Sequence, residues 1–125
     1  MRPTRGEIGA WGEELAAQYL REHGYTIRDQ NWRHGHGELD IVAERAGVVV
    51  FVEVRARSSD AYGTPEETLR APKQAKLIET ALAWLVEHDL TDTQWQIDVI
   101  AIDLDAYHGV RRLDHIEAAI SQPSG

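Results

Sequence analysis

Two acidic residues, Asp40 and Glu53, lie in the part of the chain best suited to chemistry. Asp40 begins one apolar segment, and Glu53 lies inside the next, Val48 to Arg57, with Arg55 two positions after it. Because side chains alternate between the faces of a strand, Glu53 and Arg55 are expected to point the same way. A buried carboxylate is costly unless it is paired or binds a metal. Glu53 therefore needs a partner.

Asp40 is well placed to share a cation with Glu53. Both residues are about equally far from the turn at Ala46 and Gly47, so pairing of the two strands places them opposite each other. Opposed side chains have Cβ atoms about 4.5–5.5 Å apart. Two carboxylates that close repel unless a cation lies between them, and hard oxygen ligands suit Mg²⁺ or Mn²⁺. Such an ion can activate water and stabilise a phosphorane-like transition state.

The spacing alone leaves a purely structural alternative open. In that interpretation Asp40 closes the turn that begins at Gly37, and Glu53 pairs with Arg55 or Arg57 at a sheet edge. The roles of two other acidic residues are also open. Glu38 is either an outer metal ligand or a turn residue. Asp98 either accepts a hydrogen bond within the sheet or supports a basic residue of the site.

Hydrophobic periodicity predicts the elements that position these side chains. The pattern predicts helices over 6–23 and 73–89, strands over 25–32, 39–44, 48–57, 95–104 and 110–116, a turn over 33–37, a short helical turn over 65–69 and a frayed end over 117–125. The expected apolar stripe of the second long helix comprises Ala75, Ile78, Ala81, Leu82, Leu85 and Val86. The run 48–52 is apolar on both faces, which indicates a central strand. A right-handed crossover would pair the strands on either side of that helix in parallel. We therefore predict an α/β fold with a mixed central sheet flanked by helices.

Composition limits the class of protein. The chain has 125 residues, no cysteine and a net charge of −8. This length fits a single domain over 1–125. No segment approaches a membrane span, so we expect a cytoplasmic protein without a membrane partner. The negative charge argues against coating of nucleic acid by bulk charge, although it permits a local basic face.

Several motifs in this order resemble the UPF0102 (YraN-like) family. The core of the resemblance is Gly-Glu-Leu-Asp at 37–40 followed by Phe-Val-Glu-Val-Arg-Ala-Arg at 51–57, and it extends over most of the chain. The further matching residues are Gly9, Gly12, Glu13, Ala16, Gly24, Tyr25, Asn31, Lys73 and Asp98. That family resembles the PD-(D/E)XK nucleases, especially archaeal Holliday junction resolvases. The resemblance implies a restriction-endonuclease-like fold and, by analogy with resolvases, a homodimer.

The resemblance also implies roles for individual residues. Asp40 and Glu53 would be the metal-binding acid pair, with Mg²⁺ or Mn²⁺ as cofactor, and Glu13 would be the helix acid that approaches the same ions. Arg55 stands where these nucleases usually carry a catalytic lysine. Arginine stays charged and cannot serve as a base, although it can stabilise charge on a phosphate.

Four basic residues are candidate nucleic-acid contacts: Arg33, Arg57, Lys73 and Lys76. Lys73 and Lys76 stand near a helix N-terminus, a position that suits an approaching phosphate. The leading function hypothesis is thus a metal-dependent endonuclease acting on DNA, including branched or structured DNA. The alternatives are a non-catalytic nucleic-acid-binding or assembly module, which Arg55 and the net charge favour, and a protein partner with neither activity.

Overall fold

A single five-stranded sheet organises the protein. The structure, a computed structural model, describes residues 4–58, 71–105, 107 and 109–120. Its elements are α1 (Arg5–Glu22), β1 (Thr26–His34), β2 (Gly37–Arg45), β3 (Val48–Ser58), α2 (Ala71–Glu87), β4 (Trp95–Leu104) and β5 (Val110–Ile120). The short helical turn predicted over 65–69 lies outside the described residues.

The strands follow one another across the sheet in chain order, β1 to β5. All neighbours are antiparallel except β3 and β4, which are parallel and are joined through α2. The predicted mixed sheet, the central position of β3 and the parallel crossover pair are therefore confirmed. Ala46 and Gly47, both with positive φ, form the two-residue turn between β2 and β3.

Each face of the sheet carries one helix and one apolar cluster. Val50 and Val52 pack with Ala16 and Leu20 of α1 on the first face. On the other face, Phe51 packs against the ring of Trp84 from α2, with centroids 5.7 Å apart in an edge-to-face arrangement. β3 is thus buried from both sides, as expected for a strand that is apolar on both faces.

Two details of the predicted elements are wrong. The buried stripe of α2 is Leu77, Ala81, Trp84 and Leu85, whereas Leu82 and Val86 are exposed by 46% and 65%. The stripe is rotated because the large Trp84 ring fills the space against β3. Residues 117–120 are also not a frayed end: β5 continues to Ile120, which is buried, and the rest of that predicted end, 121–125, lies outside the described residues.

Candidate metal centre

Close packing of α1 on β3 brings Glu13 to the sheet. A Cβ atom added at Gly12 would lie 2.4 Å from the Cβ of Ala56. Glycine is therefore required for this approach, since real Cβ contacts are never that short. The neighbouring Glu13 is carried by the same turn of helix toward Asp40 of β2.

We expect Gly12→Ala to destabilise the protein by about 1–3 kcal/mol, because overpacking at this contact forces the helix away from the strand. The matched control is Gly9→Ala in the same helix, where an added Cβ meets nothing within 4 Å. That change is expected to be neutral or to stabilise by up to about 1 kcal/mol through helix propensity. Urea denaturation midpoints of the two variants measure the difference. Equal midpoints would contradict the packing argument.

Asp40 occupies a break in the regular pairing of β2 and β3. The ladder runs from Arg45 opposite Val48 to Ile41 opposite Val52, and the next step of this register places Asp40 opposite Glu53. Here the Oδ2 atom of Asp40 accepts a hydrogen bond of 2.9 Å from the backbone N–H of Val54. The carboxylate thus takes the place of a ladder partner and is fixed at the level of Glu53.

The alternation of faces is interrupted at the same point. Leu39 and Val42 are three residues apart, yet both belong to the apolar cluster beneath α2, whereas Ile41 packs beneath α1. A regular strand would place Leu39 and Val42 on opposite faces. This irregularity directs Asp40 toward Glu13.

Three carboxylates converge at this break. Oxygen atoms of Glu13, Glu38 and Asp40 all lie within 4.8 Å of one another, and each side chain is half-buried. They come from α1 and β2, so tertiary packing creates the cluster. An all-oxygen donor set of this kind fits the hard cations Mg²⁺ and Mn²⁺.

Glu53 lies beside this cluster with two cations of its own. Its side chain is only 5% exposed, and its Oε1 atom is 3.6 Å from Nζ of Lys73 and 3.7 Å from Nη1 of Arg55. The pairing with Arg55 is the one expected from the shared strand face. The contact from Lys73 joins α2 to the same carboxylate, so the site draws on both helices.

Crowding of these acids raises their pKa values. Burial, followed by repulsion from Asp40, raises the pKa of Glu13 to about 7, and the same two causes raise the pKa of Glu53 to about 7. Burial also raises the pKa of Asp40, although the Val54 N–H and the Lys73 ammonium oppose it. At neutral pH the carboxylates therefore compete for protons, and a divalent cation would relieve their repulsion.

The basic residues predicted to contact nucleic acid are distributed around the site. Nε of Arg33 donates to Glu38 over 3.0 Å from a side chain that is 77% exposed. Arg57 instead donates to Asp103 of β4 over 2.7 Å, and Nζ of Lys76 lies 3.8 Å from Glu79. A cavity of about 100 Å³ next to the cluster is lined by His36, Gly37, Glu38, Lys73, Lys76, Leu77 and Thr80. Lys73 thus lies at both the acid site and this cavity.

Two members of the site were not identified as such from sequence. Glu38 was left open between an outer ligand and a turn residue, and the structure places it inside the acid cluster. From the sequence, Asn31 was only one of the residues that match the UPF0102 family, yet its side chain contacts both Glu13 and Glu38. The sequence signal that could have found Asn31 is its type, since asparagine tolerates the left-handed conformation that it adopts here, with φ of 52°.

Asp98 has a different place and role. It is fully buried and accepts hydrogen bonds from Gln96 Nε2 and Ala118 N, each over 2.8 Å. Its other oxygen lies 2.7 Å from Nε2 of His115, whose Nδ1 atom is 3.2 Å from the hydroxyl of Tyr19. Of the two roles left open, the structure shows hydrogen bonding within the sheet.

The five-stranded mixed sheet with a helix on each face is a restriction-endonuclease-like α/β fold. Residues 12–102 match the profile of UPF0102, described as an uncharacterised protein family, and the chain belongs to that family. A UPF0102 protein of Roseiflexus castenholzii is 39% identical over 98% of this chain and 99% of its own length. A UPF0102 protein of Myxococcus xanthus is 41% identical over 92% of this chain and 90% of its own length. A UPF0102 protein of Beutenbergia cavernae is 42% identical over 90% of this chain and 95% of its own length. The family match expected from the motifs is confirmed.

Within the described residues, neither helix has the length and apolar character needed to cross a membrane.

Proposed function

We propose that this protein is a metal-dependent endonuclease that hydrolyses phosphodiester bonds in DNA. The observation that carries the proposal is the convergence of Glu13, Glu38 and Asp40 within 4.8 Å, with the buried Glu53 beside them. Four carboxylates from three elements repel one another, and such an arrangement is stabilised by a bound cation. DNA as substrate agrees with the cytoplasmic location predicted from the sequence.

The donor set indicates which residues would hold Mg²⁺ or Mn²⁺. Asp40, Glu13 and Glu38 offer oxygens to a common centre, and Glu53 extends the set from β3. When bound, such an ion supplies Lewis-acid polarisation of a phosphate oxygen and an acidified water. The protein's own contribution is a fixed geometry, since the Val54 N–H holds Asp40 and two cations hold Glu53.

The cations around Glu53 suit an incoming phosphate. Lys73 and Arg55 lie on the same oxygen of Glu53 and would stabilise negative charge that develops on the phosphodiester. The exposed Arg33 and the cavity beside Lys73 and Lys76 would hold neighbouring phosphates of the strand. These contacts are local, which agrees with a chain whose net charge is −8.

The proposal is tested with labelled single-stranded, duplex and four-way-junction DNA in MgCl₂ or MnCl₂. Cleavage of at least one form, lost in EDTA and in the variant Glu53→Gln, is the expected result. A protein that cleaves none of these forms and binds neither ion in calorimetry would contradict it. Sedimentation of the same sample tests the predicted homodimer.

A non-catalytic DNA-binding module is the second candidate, and the observation favouring it is Arg55. An arginine that contacts Glu53 remains charged and cannot accept a proton. The variant Arg55→Lys discriminates: gained cleavage indicates an impaired active site, whereas retained DNA binding without cleavage supports the module. Titration with DNA at two salt concentrations distinguishes the endonuclease and the DNA-binding module from a protein that binds only other proteins. Phosphate contacts weaken with salt, so DNA binding by either of the first two should fall at the higher concentration.

Metal binding should depend on pH near neutrality. Because Glu13 and Glu53 have pKa values of about 7, each must lose a proton to act as a ligand below that pH. We expect Mn²⁺ affinity to fall from pH 8 to pH 6 by roughly tenfold for each carboxylate that binds the ion. Calorimetric titrations in buffers of equal ionic strength measure this fall. A flat profile would contradict either the raised pKa of the two glutamates or their role as ligands.

A further inference from the structure

Asn31 bridges two acids of the candidate metal centre. In the orientation that satisfies both ends of its amide, the nitrogen lies 3.1 Å and 3.3 Å from the two carboxylate oxygens of Glu13 and 3.2 Å from Oε1 of Glu38. One side chain on β1 thus connects an acid on α1 with an acid on β2. Its backbone adopts φ of 52°, a conformation that asparagine tolerates better than most residues.

The neutral charge of this amide is important. Glu13 and Glu38 would separate by repulsion, and Asn31 offers two N–H groups that hold them without cancelling their charge. A lysine or arginine at this position would hold them too, but it would compete with a metal ion. Arg33, which donates to Glu38 Oε2, lies at the exposed side of that carboxylate. The amide therefore preserves the negative potential of the cluster while fixing its shape.

We infer that Asn31 is a positioning residue that preorganises Glu13 and Glu38 for a divalent cation. This inference rests on the proposed function, because it assumes that the cluster binds metal. Residues that hold ligands in place typically change metal affinity by about 10–100-fold when they are removed. Asn31 would act entirely through the two glutamates.

The test is Asn31→Gly, which removes the amide and keeps a residue that tolerates the left-handed backbone. Mn²⁺ affinity measured by calorimetry is expected to fall tenfold or more, while the melting temperature in EDTA falls only slightly, because the hydrogen bonds that are lost lie at an exposed residue. Ala118→Gly is the matched control, since Ala118 also has positive φ, 48°, and hydrogen-bonds to Asp98 away from the cluster. Its Mn²⁺ affinity should equal that of the wild type.

A double-mutant cycle with Glu38→Gln tests whether Asn31 affects metal binding through Glu38. If Asn31 acts by holding this glutamate, its removal costs less affinity in the Glu38→Gln background than in the wild type. Wild-type protein that binds Mn²⁺ and an Asn31→Gly variant with the same affinity would overturn the role of Asn31 alone. A lowered melting temperature with unchanged affinity would likewise reduce Asn31 to a structural residue. Wild-type protein that binds no Mn²⁺ would instead overturn the proposed function and this inference together.

Discussion

Asp40→Asn is expected to weaken Mn²⁺ binding at least a hundredfold and to make the metal-free protein more stable at pH 8. Asp40 raises the pKa of both Glu13 and Glu53, so its negative charge opposes theirs in the folded state. Asparagine removes that charge, and its carbonyl oxygen can still accept the hydrogen bond from Val54. Loss of a central ligand should reduce affinity and any cleavage at least a hundredfold.

The sign of the stability change follows from the direction of the pKa shifts. A carboxyl group whose pKa is higher in the folded than in the unfolded protein destabilises the fold increasingly as pH rises from about 4.5 to about 7. Above pH 7 the penalty is complete. Burial contributes most to the free-energy penalty of ionising Glu53 in the folded protein. Repulsion from Asp40 contributes on the order of 1 kcal/mol to that penalty. The gain from Asp40→Asn should therefore be small at pH 5 and complete at pH 8.

Differential scanning fluorimetry at both pH values, in EDTA and in MnCl₂, measures this prediction. A gain of about 1 kcal/mol corresponds to a rise of about 3–6 °C for a domain of this size. Asp103→Asn is the control, since Asp103 pairs with Arg57 outside the acid cluster. That variant should keep its Mn²⁺ affinity and gain no stability. A metal-free Asp40→Asn protein that melts below the wild type at pH 8 would refute the repulsion argument.

Asp98→Ala should have the largest effect on folding. The carboxylate is 0% exposed and holds Gln96, His115 and the Ala118 N–H together. Truncation leaves the Ala118 N–H and the nearly buried His115 ring without their acceptor and opens a cavity between β4 and β5. We expect a loss of about 3–5 kcal/mol, enough to unfold a marginally stable domain.

Milder variants keep this prediction measurable if Asp98→Ala fails to fold. Asp98→Asn retains an acceptor for the Ala118 N–H and should lose less stability, and Gln96→Ala should lose about 0.5–1.5 kcal/mol. Urea unfolding gives all three values. Because Asp98 holds the sheet and not the acid cluster, the folded Asp98→Asn variant should bind Mn²⁺ with the affinity of the wild type. Similar stability of Asp98→Ala and the wild type would contradict this account.

Most of the fold could be predicted from the sequence because the apolar runs and turns that predict its strands are local. The apolar run at 48–52 identified the central strand, and the turn at Ala46 and Gly47 set the register that brings Asp40 level with Glu53. The end of β5 was missed because residues 117–120 are held by a distant partner, the Asp98 carboxylate that accepts from Ala118. The buried stripe of α2 was misplaced because packing of Trp84, a tertiary contact, decides its rotation.

The site was less predictable than the fold. Glu38 joins the cluster because strand alternation breaks between Leu39 and Val42, and periodicity assumes that alternation holds. The contact of Asn31 depends on a left-handed backbone, which its residue type permits but does not require. Lys73 meets Glu53 only through packing of α2 against the sheet. These positions depend on contacts between elements that are distant in the chain, which local periodicity does not describe.

The strand order has a consequence for synthesis on the ribosome. Since β2 and β3 each pair with the strand that precedes them in the chain, their hairpins close short loops as the chain emerges, whereas β4 must await the α2 crossover. All four acids are contained in residues 13–53, and Lys73, which pairs with Glu53, is added later. The four carboxylates are therefore synthesised before the ammonium group that pairs with Glu53, so their mutual repulsion is least compensated at that stage.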